Sequence, residues 1–249
     1  MNKQISKHNN VTRWSTISRC LPQFHFEDVS SLTFDIDWAC DEILADCINL
    51  VESYNIPATW FVTHDTPLLS RLRDNNNFEL GIHPNFNNLL NGPCNTQSID
   101  KIIDDLLNLV PEAVSVRSHS MVQSSRLQDV FSKKGLIFDC NHFIPEQSKI
   151  VLKPWSLWNG LIKVPHFWED DVFCLYPKGT EPDLLLSREG LKVFDFHPIH
   201  VFLNTESIER YENSRNVHHD ASQLIDYRFP GHGVRNQLLN LIKTHDNDK

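Results

Sequence analysis

The chain has 249 residues, of which 40% are hydrophobic and 22% charged, a balance that supports one large domain with a sizeable core. Its eight glycines argue against collagen-like or linker-like classes. The formal net charge of −9 comes with no long block of like charge, which argues against a duplex nucleic-acid binder but leaves a neutral or cationic sugar open as substrate.

Residues 1 to about 28 are polar and aperiodic and read as an N-terminal arm or an edge addition. No apolar h-region interrupts them, and no run of about 18 apolar residues follows anywhere in the chain, so no secretory signal and no stable membrane insertion are expected. From residue 29 onward one domain is predicted. "SLTFDID" reads as a short core strand, and "CDEILADCINLVESYN" carries apolar residues at helical spacing. "IPATWFVTH" is a second strand opened by Pro57. A helix with Pro67 in its first turn comes next, and then the strand "FELGIH". "SIDKIIDDLLNLV" is a strong helix with Ser98 as candidate N-cap. "AVSVRSH" reads as a strand, "SSRLQDVFSKKG" as a helix closed by Gly135, and "LIFDCNHF" as a strand. Residues 145–160 read as a loop. "GLIKVPHFW" and "LKVFDFHPIHVF" read as two further strands, "SIERYENSRNVHHD" as a polar excursion, and "GVRNQLLNLIKTH" as a terminal helix. This alternation predicts parallel strands with helical crossovers, closed into a distorted (β/α) barrel of seven or so strands. The six cysteines are scattered, without a C-x-x-C pair, which fits a reducing, cytoplasmic compartment better than a disulfide framework.

In parallel α/β folds the chemistry gathers at the C-terminal strand ends. Here successive ends carry Asp35 and Asp37, His64, His83, Arg117 with His119, Asn141 with His142, His166 with Trp168, Glu169 and Asp170, and finally His197 with His200. Aspartate and histidine converging on one rim suit a borderline divalent cation, zinc first among them, or an acid–base site. No glycine-rich phosphate loop is present, and Asp35 and Asp37 leave one strand end together, which suits one metal better than a glycosidase's facing carboxylates.

Taken in order, Thr33-Phe34-Asp35-Ile36-Asp37, His83 in "GIHPNFNN", Arg117 in "VRSHS" and His197 in "VFDFHP" resemble the motifs of the NodB-homology polysaccharide deacetylases, carbohydrate esterase family 4, and within it the bacterial branch associated with O-antigen biosynthesis. The resemblance covers about residues 30 to 243 and implies metal-dependent removal of an acetyl group from an N-acetylated sugar of a surface-polysaccharide precursor. It implies Asp37 and His83 as metal ligands, Asp35 as general base supported by Arg117, and His197 as general acid. Asn87 stands where the family's second histidine is expected. The third ligand is then Asn87 through its amide, or His64 or His119 in its place; otherwise the site is weak. His119, Trp158, His166 and Trp168 are candidates for contact with the sugar. Two rivals remain: an amidohydrolase acting on another small C–N bond, and a carbohydrate-binding relative without catalysis.

Overall fold

The computed structural model describes residues 13–22, 29–90, 98–176 and 179–243. Among the described residues the ten strands are β1 (Arg13–Trp14), β2 (Val29–Asp35), β3 (Ala58–Val62), β4 (Phe78–Ile82), β5 (Ser115–Val116), β6 (Phe138–Asp139), β7 (Trp155–Ser156), β8 (Ile162–Lys163), β9 (Trp168–Glu169) and β10 (Lys192–Phe196). They form one sheet in the order β7-β8-β6-β5-β4-β3-β2-β10-β9, with β1 added alongside β2. Every pairing is parallel except that of β7 with β8. The sheet curls into a half-barrel, the distorted α/β barrel expected from the strand–helix alternation.

The crossovers are α1 (Asp41–Ser53), α2 (Leu68–Asp74), α3 (Asn87–Leu90), α4 (Ile99–Leu109), α5 (Ser125–Lys133), α6 (Asp170–Leu175), α7 (Pro198–Leu203), α8 (Ile208–Asn213), α9 (Ala221–Leu224) and α10 (Val234–Lys243). Helix α1 buries Ile43, Leu44, Cys47, Ile48 and Val51, the apolar stripe visible in the sequence. Ser98 caps α4 by accepting the Lys101 N–H at 3.1 Å. Gly135 follows α5 at φ 85°, a backbone state open to glycine at no steric cost.

Four expectations change. "LKVFDFHPIHVF" is a strand only through Phe196; Pro198 then occupies the first turn of α7, because its fixed φ suits a helix start and its missing N–H cannot serve a strand ladder. "GLIKVPHFW" divides at Pro165 into β8 and β9 for the same reason. The 145–160 loop contains β7, which returns on β8 through a turn holding Gly160 at φ 87°. The polar excursion also contains helix, α8.

Within the N-terminal stretch, β1 pairs with Val29–Ser30 and Trp14, Ile17 and Cys20 are buried in the core; residues 1–12 and 23–28 lie outside the described residues, as does Cys94. The other five cysteines are free thiols. Among the described residues no helix is long and apolar enough to cross a membrane. Because β2 pairs in register with β3 and β10 (Asp35 with Phe61, Phe196 with Phe34), the strand ends meet at one rim.

Candidate active site

Strand β2 ends in Asp35, and the chain then turns sharply. Asp37 and Trp38 both lie in the left-handed region, at φ 36° and 55°. Non-glycine residues rarely adopt that state, and two in succession mark a backbone held by its surroundings. The Trp38 N–H helps to hold it by donating to Thr63 Oγ1 at 3.1 Å. The turn brings Asp37 back over the rim.

His83 follows β4, and its N–H continues the ladder to the Val62 carbonyl at 2.8 Å. Two residues earlier, a Cβ on Gly81 would lie 2.6 Å from Ser115 Oγ and 2.7 Å from the Phe61 ring, so only glycine lets β4 lie this close to its neighbours. His119 follows β5, with its N–H on the Pro84 carbonyl at 3.0 Å. Asp37 Oδ1 lies 3.2 Å from His83 Nε2 and 3.3 Å from His119 Nδ1. The two ring nitrogens are themselves 3.3 Å apart.

Burial pushes the Asp37 carboxyl up, but its contacts with His119 and His83 outweigh that and hold it well below the usual range. Burial pulls His83 down, and the charges of Asp35 and Asp37 more than reverse it. Asp37, His83 and His119 form one of several groups whose ligand atoms lie close enough to share a cation. The others (Asp35 with Asp195 and His197, His166 with Glu169 and Asp195, Glu169 with Asp171 and His197) use carboxylates or imidazoles already engaged by Arg117, Asp170 or one another.

Arg117 is buried beneath this trio, its guanidinium 4.6 Å from the centre of the Phe61 ring. Its Nη1 donates to Asp35 Oδ1 and Thr33 Oγ1, each at 3.0 Å, and to Asp195 Oδ1. Thr33 in turn donates to Asp195 at 2.8 Å, across the β2–β10 register. Opposite the trio, His197 Nδ1 meets Asp170 Oδ1 at 2.7 Å, and the His197 N–H donates to Asp170 Oδ2 at 2.8 Å. Burial lowers His197, yet the charges of Asp171 and Asp170 and the Asp170 hydrogen bond hold it well above its ordinary value. Its Nε2 is 3.6 Å from Asp37 Oδ2. Asp171 holds His200 Nε2 at 2.5 Å, and His200 Nδ1 meets Thr205 Oγ1 at 3.0 Å.

Asp35, Asp37, His83, Arg117, His119 and His197 line an open cleft of about 70 Å³ together with His166, Glu169 and Ser120. Burial, reinforced by Arg117, pushes His166 down to about 3 and so keeps it neutral. Burial raises Glu169 to about 7 against the pull of His197.

The remaining candidates lie apart. Asn87 Nδ2 donates to Ser120 Oγ at 3.1 Å, and His64 Nδ1 meets Thr63 Oγ1 at 2.8 Å; His64 is in none of the groups of histidines and carboxylates able to share a cation among the described residues. Trp158 stands 73% exposed beyond β7. Trp168 is 4% exposed and packs on Phe173 and Phe196.

The family model for WbmS-like polysaccharide deacetylases matches residues 32–215, which carry nearly every group just described. The chain belongs to this family. A solved structure from Bordetella bronchiseptica, WbmS, described as a candidate polysaccharide deacetylase involved in O-antigen biosynthesis, is 43% identical over 96% of this chain and all of its own, with a TM-score of 0.89. A candidate polysaccharide deacetylase from Mycobacterium smegmatis is far more distant, at 17% identity over 80% of this chain and 89% of its own, with a TM-score of 0.45. No curated protein matches the chain.

For a WbmS-like chain, several site groups escape motif reading. Asp195 gives a signal only as a charge inside the apolar run "KVFDFH", and Asp171, beside the strand-end Asp170, stands in no motif. Trp38 is the aromatic that reaches the trio, its ring centre 5.1 Å from that of His119 in an edge-on contact.

Proposed function

We propose that this WbmS-like chain is a divalent-metal-dependent hydrolase that removes the N-acetyl group from an acetamido sugar of a surface-polysaccharide precursor in the cytoplasm. The observation that carries this reading is the Asp37–His83–His119 trio, set between Asp35 on Arg117 and His197 on Asp170.

The trio fits a cation. Asp37 Oδ1 is buried with no hydrogen-bond partner, yet two imidazole nitrogens point at it from 3.2 and 3.3 Å. One carboxylate and two imidazoles are a donor set suited to zinc, with a coordination position left for substrate or water. On this reading His119 is the third ligand, while Asn87 orients the Ser120 segment and His64 has no part. A bound divalent cation supplies Lewis acidity, which acidifies water and polarises the acetyl carbonyl.

The chain's own residues do the rest. Asp35, tethered by Arg117, presents a carboxylate of fixed direction that takes a proton from the attacking water. His197 carries its proton because Asp170 holds Nδ1, so Nε2 is the donor to the nitrogen that leaves as the C–N bond breaks. The products are acetate and an amino sugar. His166 and Glu169 line the cleft and offer hydrogen bonds to the sugar; Trp38 offers it an apolar face, a role expected of Trp158 and Trp168 from sequence.

The reading of a non-catalytic relative drew on Asn87, and that support goes once His119 stands with Asp37 and His83. The test is acetate release from a panel of acetamido-sugar nucleotides and lipid-linked acetamido sugars, alongside metal analysis of the purified protein. Stoichiometric metal with no acetate from any member would sink the deacetylase assignment and favour hydrolysis of another C–N bond.

A further inference from the structure

His83 and His119 face Asp37 on different terms. His83 is buried, and its Nδ1 lies 3.4 Å from Asp35 Oδ2, so a carboxylate stands on each side of the ring. A histidine that binds a metal is usually oriented in this way, by a partner on its other ring nitrogen. The His119 side chain is 27% exposed, and among the described residues its one carboxylate contact is Asp37 itself. Trp38 meets the ring edge-on but is itself 38% exposed, so the direction of the ring falls to the backbone that carries it.

That backbone is an irregular turn. Arg117 and His119 donate their N–H groups toward β4, to the Ile82 and Pro84 carbonyls at 3.1 and 3.0 Å. The N–H between them, that of Ser118, goes the other way, toward the end of β6, and meets a side chain there: Asn141 Oδ1, at 2.7 Å. Ser120 and Met121 follow at φ 56° and 52°, two more non-glycine residues in the left-handed region. Such a turn persists only where its surroundings hold it.

Asn141 is held in turn. It is buried, and its backbone N–H and its Nδ2 both donate to Asp139 Oδ1, at 3.0 and 2.9 Å. An N–H on one side and a carboxylate on the other leave the amide a single orientation. Asp139 Oδ2 lies 2.7 Å from Lys163 Nζ, across the β6–β8 register, and both residues are buried. A buried ion pair adds little net stability over an apolar pair of the same size, so packing alone does not account for it. Lys163 Nζ also donates to Gln123 Oε1 at 3.3 Å, just past the turn. One buried cluster therefore holds the His119 turn at both ends.

We propose that Asn141 is a positioning residue for His119: anchored by the ion pair of Asp139 with Lys163, it fixes the 118–121 turn so that His119 Nδ1 faces Asp37 beside His83 as a preformed ligand. The inference rests on the metal-site reading and adds what sets its third ligand in place.

The test measures metal on the purified protein. Zinc affinity is read by competition with a chromogenic chelator, and the cobalt(II)-loaded protein by its visible bands, in the wild type, Asn141→Ala and Asn141→Ser. Serine is one bond shorter, so it still bonds Asp139 but does not reach the Ser118 N–H, and it keeps the test open if Asn141→Ala does not fold. Urea denaturation ranks the variants by stability, and Ile103→Val, at a buried position in α4, is the control for lost packing. The expected result is a zinc Kd raised about 10- to 100-fold in the Asn141 variants, with altered cobalt bands, while Ile103→Val keeps both wild-type readouts. Wild-type affinity and bands in a folded Asn141 variant overturn the positioning role and leave the metal site standing. The same loss of affinity in Ile103→Val also overturns it, because any destabilisation then has that effect. If the wild type takes up neither zinc nor cobalt, the metal reading falls and the positioning role with it. If metal binding responds as expected but no acetamido sugar yields acetate, the positioning role stands and the deacetylase reading alone falls.

Discussion

His83 Nε2 and His119 Nδ1 stand 3.3 Å apart, although 36 positions separate them in the chain. They meet because β4 and β5 are parallel neighbours, with Ile82 paired to Val116, so the residues just after each strand share a rim. Asp37→Ala, His83→Ala and His119→Ala should each lose stoichiometric metal, whereas His64→Ala should keep it and Asn87→Ala should keep most of it. Elemental analysis after gel filtration reads this directly. Retention of full metal by His119→Ala, with loss in Asn87→Ala, would return the ligand to the H-x-x-x-H position.

The Asp170 carboxylate and its neighbour Asp171 hold His197 protonated well above the ordinary imidazole value. Replacing Asp170 by Asn removes a charge and exchanges a charge-assisted hydrogen bond for a neutral one. The alkaline limb of the kcat profile should then move to lower pH, with kcat at pH 8 falling by about 10- to 100-fold. An unmoved limb would remove His197 from the role of acid.

Arg117 faces two buried carboxylates, Asp35 and Asp195. Arg117→Met leaves both without their cation, which should destabilise the fold by about 3 kcal/mol in urea denaturation at pH 8. Adding Asp195→Asn removes one orphaned charge and should recover part of that loss. Strict additivity of the two changes would show that the residues are not coupled.

His200 and Asp171 form an ion pair beneath the cleft wall. Burial lowers His200, but the bond and charge of Asp171 outweigh it and raise it above its ordinary value. A raised folded-state value means that the stabilisation is fully present below about pH 6.5 and is lost as pH climbs through the raised value. Burial raises Asp171, while the charge of His197 and the bond to His200 outweigh it and leave it lowered, so its contribution is lost only in strong acid. The cost of His200→Gln should therefore be largest near pH 6, at about 2 kcal/mol, and smaller at pH 9. Equal costs at both pH values would show that His200 stays neutral in the folded protein.

Periodicity alone placed most of the helices and the four longest strands, because apolar spacing directly reflects which face is buried. It failed where proline decided the backbone, at Pro165 and Pro198, and where strands are only two residues long, as with β7 and β9, too short to show a period. Asp35, Asp37, His83, Arg117 and His197 were legible because each ends a strand in a parallel fold. Asp195 was not, because a buried acid within an apolar strand looks like a flaw until Arg117 and Thr33 are seen around it.

The sequence by itself determined the fold class, the family and the rim on which the chemistry gathers, all of them consequences of local pattern and strand order. Only the tertiary structure brought His119 to Asp37 and His83, and only it set Asp170 behind His197. Both depend on distances across neighbouring strands, and on two left-handed residues that turn Asp37 back over the rim, which no local spacing encodes.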